Sequence, residues 1–359
     1  MPRPCPLKLA RITLERIELR LRAPLERSGG AIATRDGIRV EIFDVSGERG
    51  CGEALPLVSA GTETLEETSA AMLEARSLLE SRSDTLESML DALEERLERW
   101  PAARCAFDVA LHDLDARLRR APVARCLSPD ARRALEVNAL IGADDTAACL
   151  RECRQAWQRG YRTLKLKVGR GSPAEDGSRI AAVREALGPE ARLRIDANGA
   201  WTAECAVRAL ERMAELDIEL VEQPTRADDL DALAWVHARS PIPIAADEAL
   251  AGAEGRARLL CDELANIAII KPMVLGGLRA AAQLCIQASA RGIDCIVTTT
   301  LDGPTMTAAA LHLAAAHGSC NLAHGLAACE QLETDFPTWL VPSDGRLAVG
   351  EEPGLGFAQ

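Results

Sequence analysis

The chain contains no CxxC pair, no HExxH, no GxGxxG fingerprint after its first strand and no block of basic residues. Each absence removes a class of function. Twelve cysteines are present, but the nearest useful pair, Cys149 and Cys153, stands one helical turn apart in an apolar-periodic segment. There cysteine serves as a small hydrophobe, so the set reads as reduced core thiols rather than a disulfide framework. The five histidines, His112, His237, His312, His317 and His324, cluster neither with one another nor with cysteine, which leaves zinc without a ligand set. Lacking the glycine-rich turn, a dinucleotide-binding reading is weakened. Lys+Arg 42 against Asp+Glu 54 give a net charge of −12, so a sequence-tolerant nucleic-acid binder would lack its electrostatic footprint. The nearly apolar stretch 308–316 is too short to span a bilayer and contains His312, and the opening Met1-Pro-Arg-Pro-Cys-Pro lacks the apolar core of a secretory signal. The expectation is a soluble cytoplasmic protein that engages neither nucleic acid nor membrane. With 359 residues, 48% of them hydrophobic, the chain can bury a sizeable core in more than one domain.

Lysine is nearly absent too. Among 42 basic residues it occurs only at Lys8, Lys165, Lys167 and Lys271. Arginine stays protonated, whereas a buried lysine can lose its proton near neutral pH and act as a base. The three mid-chain lysines are therefore candidates for proton transfer, although lysines also persist by chance on solvated surfaces.

From about residue 135 short aliphatic runs alternate with longer helical ones. Strands are predicted at 135–141, 163–168, 192–197, 218–223, 242–247, 266–271 and 294–300, with a weaker one at 320–324. Helical stretches such as 203–216 and 278–291 follow them, with Gly or Pro at the joins. Seven or eight βα units in series indicate a parallel α/β barrel, with an open doubly wound sheet as the alternative. The polar residues fall near the C-terminal ends of these strands. Lys165 and Lys167 alternate on one strand and share a face. Asp196 and Asn198 do the same on the next, Glu222, Asp247-Glu248 and Lys271 end the three after that, and Thr299 lies near the end of the seventh with Asp302 just beyond it. Parallel strands are buried on both faces, so ionisable groups there need a partner or a metal. Asp196, Glu222 and Asp247 come from successive strands and can converge on one hard divalent cation, Mg²⁺ rather than zinc, with Mn²⁺ as a substitute. Lys165 and Lys167 precede this triad and Lys271 follows it. A carboxylate substrate bound between them would have its α-carbon flanked on both sides, and loss of the α-proton would give an enediolate.

The set Lys165-x-Lys167, Asp196-x-Asn198, Glu222, Asp247-Glu248 and Lys271 resembles the enolase superfamily, specifically its muconate-lactonizing-enzyme subgroup. The resemblance implies a modified (β/α)7β TIM-like barrel over 134–324, an N-terminal α+β capping domain over 1–125, a linker at 119–133 and a tail, 325–359, returning to the cap. In the cap it implies antiparallel strands at 7–21 and 39–44, and helices at 63–80, 85–100 and 105–118. Within the subgroup, residues 34–37, 52–57 and 62–64, and His324-Gly-Leu-Ala with Asp335, look most like o-succinylbenzoate synthases, with 25–33 as the substrate-covering loop. The expected reaction is then a Mg²⁺-dependent dehydration of 2-succinyl-6-hydroxy-2,4-cyclohexadiene-1-carboxylate in menaquinone biosynthesis. Lys167 would take the α-proton and return it to the departing hydroxyl, Lys165 would lower the pKa of Lys167, and Lys271 would stabilise the enediolate as a cation. Asn198, Glu248, Asp302, Thr299 and His324 would support the site. Alternatives are an N-succinylamino acid racemase or dipeptide epimerase using Lys167 and Lys271 as a two-base pair, a muconate cycloisomerase, or a non-catalytic barrel used as a binding module. Against the epimerase, 321–326 lacks the Asp-x-Asp that holds a dipeptide's amino group. Where many subgroup members have Glu after the seventh strand, this chain has Asp302, one methylene shorter, which could equally cap the helix opened by Gly303-Pro304. Homo-oligomers are common in the subgroup, and one is expected here by the same resemblance.

Overall fold

The computed structural model describes residues 6–27, 30–261 and 264–358. The N-terminal part is a four-stranded antiparallel sheet in the order β3-β2-β1-β4, built from β1 (Leu7–Arg27), β2 (Gly30–Asp44), β3 (Arg49–Ala54) and β4 (Ser83–Asp84). Four helices accompany it: α1 (Leu65–Leu79), α2 (Leu86–Arg96), α3 (Pro101–Leu118) and α4 (Val123–Leu127). Helix α1 starts at a capping box, Thr64 accepting from the Glu67 amide while Glu67 accepts from Thr64. Helix α3 is buried nearly all round, as a helix must be when it lies between two layers. β1 and β2 form a hairpin longer than the two short strands expected, pairing from Leu9–Asp44 out to Arg27–Gly30. Of the expected covering loop 25–33, residues 25–27 and 30–33 are therefore paired strand, and 28–29 lie outside the described residues.

The second part is a parallel sheet of seven strands in sequential order. Its strands are β6 (Ala139–Ile141), β7 (Thr163–Lys167), β8 (Arg192–Asp196), β9 (Ile218–Glu222), β10 (Ile244–Ala246), β11 (Ile267–Ile270) and β12 (Asp294–Val297). Around them run α5 (Thr146–Gln158), α6 (Pro173–Leu187), α7 (Ala203–Met213), α8 (Leu230–His237), α9 (Ala253–Cys261), α10 (Pro272–Leu275), α11 (Leu278–Ser289) and α12 (Pro304–His317). The expected strand 135–141 is two pieces, because β5 (Ala134–Glu136) leaves the barrel to pair with β13 (Arg346–Ala348) of the tail. The weak eighth strand is reduced to two bridges, Val137 to His324 and Thr298 to Gly325, and these close the sheet on itself. Leu220, Ala245, Ile267, Ile269 and Ile296 fill the inside of the closed sheet as a separate apolar cluster, which puts the polar strand ends above a packed floor. No helix among the described residues is long and apolar enough to cross a membrane.

The tail is tied to the first part through Asp113, wholly buried on α3. Its carboxylate accepts from the Leu355 amide at 2.8 Å, the Cys51 amide at 3.0 Å and Arg117 Nε at 3.0 Å. Removing it orphans the buried Leu355 amide, at a cost of about 1–3 kcal/mol, and the half-buried Cys51 amide. In Asp113→Ala, hydrogen exchange at Leu355 and Gly356 should accelerate by about 10- to 100-fold while barrel amides keep their protection. Mass-spectrometric exchange on tail and barrel peptides checks this.

Candidate active site

Strand β7 alternates outward Leu164 and Leu166 with Lys165 and Lys167, which line a cavity of about 740 Å³ over the C-terminal ends of the strands. Asp196, Asn198, Glu222, Asp247, Glu248, Lys271 and Thr299 line the same cavity. Nine residues from the ends of six strands are thus brought together as the strand-end pattern requires. Asp196 Oδ2 accepts from both Lys165 Nζ at 2.9 Å and Lys167 Nζ at 2.7 Å. Lys165 also reaches Glu222 Oε1 at 2.6 Å, Lys167 reaches Asn198 Oδ1 at 2.6 Å, and Lys271 reaches Asp247 Oδ2 at 2.6 Å. Asn198, held in the left-handed region at φ 44°, donates from Nδ2 to Glu248 Oε1 at 3.0 Å and from its backbone to Asp196 Oδ1. Its turn lets one amide connect the ends of β8 and β10.

The electrostatics follow from burial and proximity. Burial favours a neutral amine at Lys165, but Asp196, Glu222 and Asp247 outweigh it and hold the ammonium well above its ordinary value. Lys271 is raised in the same way, burial being overcome by Asp247, Glu248 and Glu222. Asp196 is buried as well, yet its two lysines depress it below the usual carboxylate range. Glu222 goes the other way: burial, then repulsion from Asp196 and Asp247, pushes it up to about 8. Lys165 and Lys167 thus meet at one carboxylate oxygen of Asp196.

Among the described residues no three acidic, histidine or cysteine side chains stand close enough to form a ready chelate, because lysines engage the acids. The donor set nevertheless fits a hard divalent cation. Asp196, Glu222 and Asp247 offer oxygen alone from three neighbouring strands, their mutual repulsion calls for positive charge, and Glu248 keeps a buried Oε2 with no hydrogen-bond partner.

Two expected supporting residues are elsewhere. His324 is buried behind the cavity, where Nδ1 accepts from the Val297 amide at 3.1 Å; burial, with Arg132 and Arg194 nearby, lowers it to about 3. It sits at the barrel seam and does not line the cavity. Asp302 is 2% exposed and off the cavity wall, at the junction of the two parts of the chain. It does not cap α12, whose N-cap is Gly303; its carboxylate accepts from the Thr300 amide and hydroxyl and faces Arg35 at 4.0 Å. Other contributors were not expected. Gln223, at φ 38°, accepts the Asp247 and Ala249 amides on Oε1 and so fixes the backbone of one acid. Its place directly after Glu222 was the available signal. Glu330, Gln331, Arg170 and Arg226 also line the cavity, from loops whose spacing carries no signature.

The profile of the family described as Enolase C-terminal domain-like matches residues 148–358. A hydrophobic dipeptide epimerase of Enterococcus faecalis is 30% identical over 356 residues, covering 98% of this chain and 100% of that protein. An o-succinylbenzoate synthase of Thermobifida fusca is 41% identical over 193 residues, 53% of this chain and 59% of that one. In structure the chain is similar to the Enterococcus faecalis V583 dipeptide epimerase complexed with Mg and the dipeptide L-Leu-L-Tyr, with a TM-score of 0.89 and 28% identity over 98% of this chain and 99% of that one.

The raised Glu222 has a consequence for stability. Its folded value, about 8, lies above the ordinary carboxylate value of 4.5, so its contribution is full below about pH 4.5 and is lost as the pH rises through about 8. In chelator, the melting temperature should fall over that window, and Glu222→Gln should flatten this part of the decline. Thermal melts of both proteins from pH 5 to 9 check it.

Proposed function

Because the chain belongs to the enolase superfamily, in its muconate-lactonizing-enzyme subgroup, we propose that it is a racemase or epimerase that moves the α-proton of an N-acylamino acid or dipeptide from one face of the carbon to the other. One observation makes proton transfer between two bases possible. Lys167 at the end of β7 and Lys271 after β11 stand on opposite sides of the three acids contributed by the strands between them. A substrate carboxylate drawn to that centre has one lysine on each face of its α-carbon. Full-length similarity to an epimerase supports this order of preference over the synthase reading.

A divalent cation, Mg²⁺ with Mn²⁺ as substitute, held by Asp196, Glu222 and Asp247, would supply positive charge for the carboxylate as the proton leaves. Lys167 as the neutral amine takes the α-proton, the C–H electrons pass into the carboxylate, and Lys271 as the ammonium returns a proton to the opposite face; the reverse reaction exchanges their roles. Lys165, bonded to Asp196 and Glu222, stays charged and keeps those acids in place. Asn198 orients the Lys167 ammonium through Oδ1.

A second reading has its own support. The two other acids lining the cavity are already paired, Asp228 with Arg226 at 2.6 Å and Glu330 with Arg159 at 2.7 Å, so a dipeptide's amino group would have to compete with an arginine for either. That favours a substrate whose nitrogen is acylated, or the o-succinylbenzoate synthase reaction suggested by the 41% identity.

The test is a screen in D₂O of both antipodes of N-succinylamino acids and of dipeptides, alongside the cyclohexadiene carboxylate. We expect deuterium at the α-carbon of both antipodes, abolished by chelator and restored by Mg²⁺. Lys167→Ala and Lys271→Ala should each lose about 10²- to 10⁴-fold in inversion. Chelator-sensitive loss of the diene absorbance with no α-exchange would move the assignment to the synthase.

A further inference from the structure

The two lysines on opposite faces are not held by the same part of the molecule. Lys167 is the last residue of β7, and its backbone carbonyl accepts from Arg179 Nη2 at 2.8 Å. Arg179, on α6 and 4% exposed, also pairs with Asp176 at 2.6 Å and donates to the Asp144 carbonyl at 2.7 Å. Asp176 in turn accepts the Gly169 amide at 2.8 Å. Every one of these partners lies in the barrel part of the chain.

Lys271 is held from the other side. It is the N-cap of the single-turn helix α10, and its carbonyl accepts from the amides of Val274 and Leu275, each at 3.1 Å. The turn ends at Gly276 and Gly277, with φ of 88° and 129°. Arg104 on α3 donates from Nη2 to the Leu275 carbonyl at 2.8 Å and from Nε to the Gly276 carbonyl at 3.1 Å. Four residues along the same helix, Asp108 accepts the Leu278 amide at 2.6 Å. A Cβ at Gly276 would lie 2.1 Å from Arg104 Nη2, and one at Gly277 would lie 2.3 Å from Asp108 Cγ. The close approach and the left-handed backbone both require glycine at this point.

We propose that Arg104 and Asp108 of the N-terminal part are positioning residues for Lys271, as Arg179 of the barrel is for Lys167, so that docking of α3 sets the reach of one base and not the other. None of the three lines the cavity, so each acts through backbone. The assignment rests on the two-base reading above. Proton transfer from a base misplaced by about 1 Å loses on the order of 10²-fold, and each clamp should therefore affect one face of the substrate.

The face-specific readout is α-proton exchange into D₂O from each antipode separately, using the screened substrate that turns over fastest. Exchange without inversion needs only the lysine on that face. Arg104→Met should slow exchange from one antipode by about 10- to 100-fold and leave the other within about threefold. The affected antipode should be the one silenced by Lys271→Ala, Arg104→Lys should lie between wild type and Arg104→Met, and Arg179→Lys should slow the opposite antipode. A second readout does not depend on activity. The chain has only four lysines, so protein labelled with [¹³C]lysine gives four Cε signals, assignable with single Lys→Arg variants. Arg104→Met should move the Lys271 signal and leave those of Lys165 and Lys167 in place. Equal slowing of both antipodes, or equal shifts at Lys167 and Lys271, would overturn the proposal. If wild type exchanges neither antipode, the two-base reading fails and the lysine signals alone decide the positioning.

Discussion

Everything at this site depends on keeping seven opposing charges together where there is little water to solvate them. Asp196, Glu222, Asp247 and Glu248 face Lys165, Lys167 and Lys271, and one oxygen of Asp196 serves two ammonium groups at once. The arrangement leaves one negative charge in excess, and the structure puts that strain on Glu222, whose proton affinity rises, and on the unpartnered oxygen of Glu248. The barrel makes this possible by setting the charges on the ends of hydrogen-bonded strands above an apolar floor, so that no acid can retreat from its neighbours. The lysines are where arginine would not do, since a guanidinium neither gives up its proton nor fits as a point charge between two carboxylates.

The centre of the site was legible in the sequence because its residues recur at one structural address, within two residues of the C-terminal ends of successive parallel strands. Composition helped: with arginine nearly everywhere else, Lys165, Lys167 and Lys271 stood out before any fold was known. Legibility ended where function depends on contacts between distant segments. Arg104 precedes the carbonyl it grips by 171 residues, and no periodicity links the two. Asp302 and His324 were misplaced for a related reason: proximity along the chain to a strand end does not say whether a side chain turns toward the cavity, the seam or the neighbouring layer. The strand expected at 135–141 shows the same limit, since an apolar run cannot reveal that half of it will pair with the tail rather than the barrel.

The choice between epimerase and synthase turns on the outer half of the cavity rather than on its centre. Both chemistries need the same acids and lysines, so nothing at the strand ends discriminates. What differs is the group carried by the substrate away from the carboxylate, and here the chain offers arginine-paired acids, Asp228 and Glu330, together with small apolar residues such as Ala327 and Ala328. Electroneutral pairs at that end suit a substrate without a free ammonium, whichever reaction follows.

The tail that leaves the barrel seam adds a further constraint. After supplying Glu330 and Gln331 to the cavity wall, it pairs with β1: Gln331 accepts the Arg22 amide at 2.9 Å, the Glu333 amide donates to Arg20 at 2.8 Å, and Leu332 bridges Leu21. The hairpin and the wall are thereby one continuous piece of backbone pairing. A substitution that reshapes either one changes the setting in which the other is judged, so shifts in substrate preference should be epistatic across the two segments. Libraries that vary the hairpin alone would explore a smaller range of specificities than those that vary it jointly with 330–333.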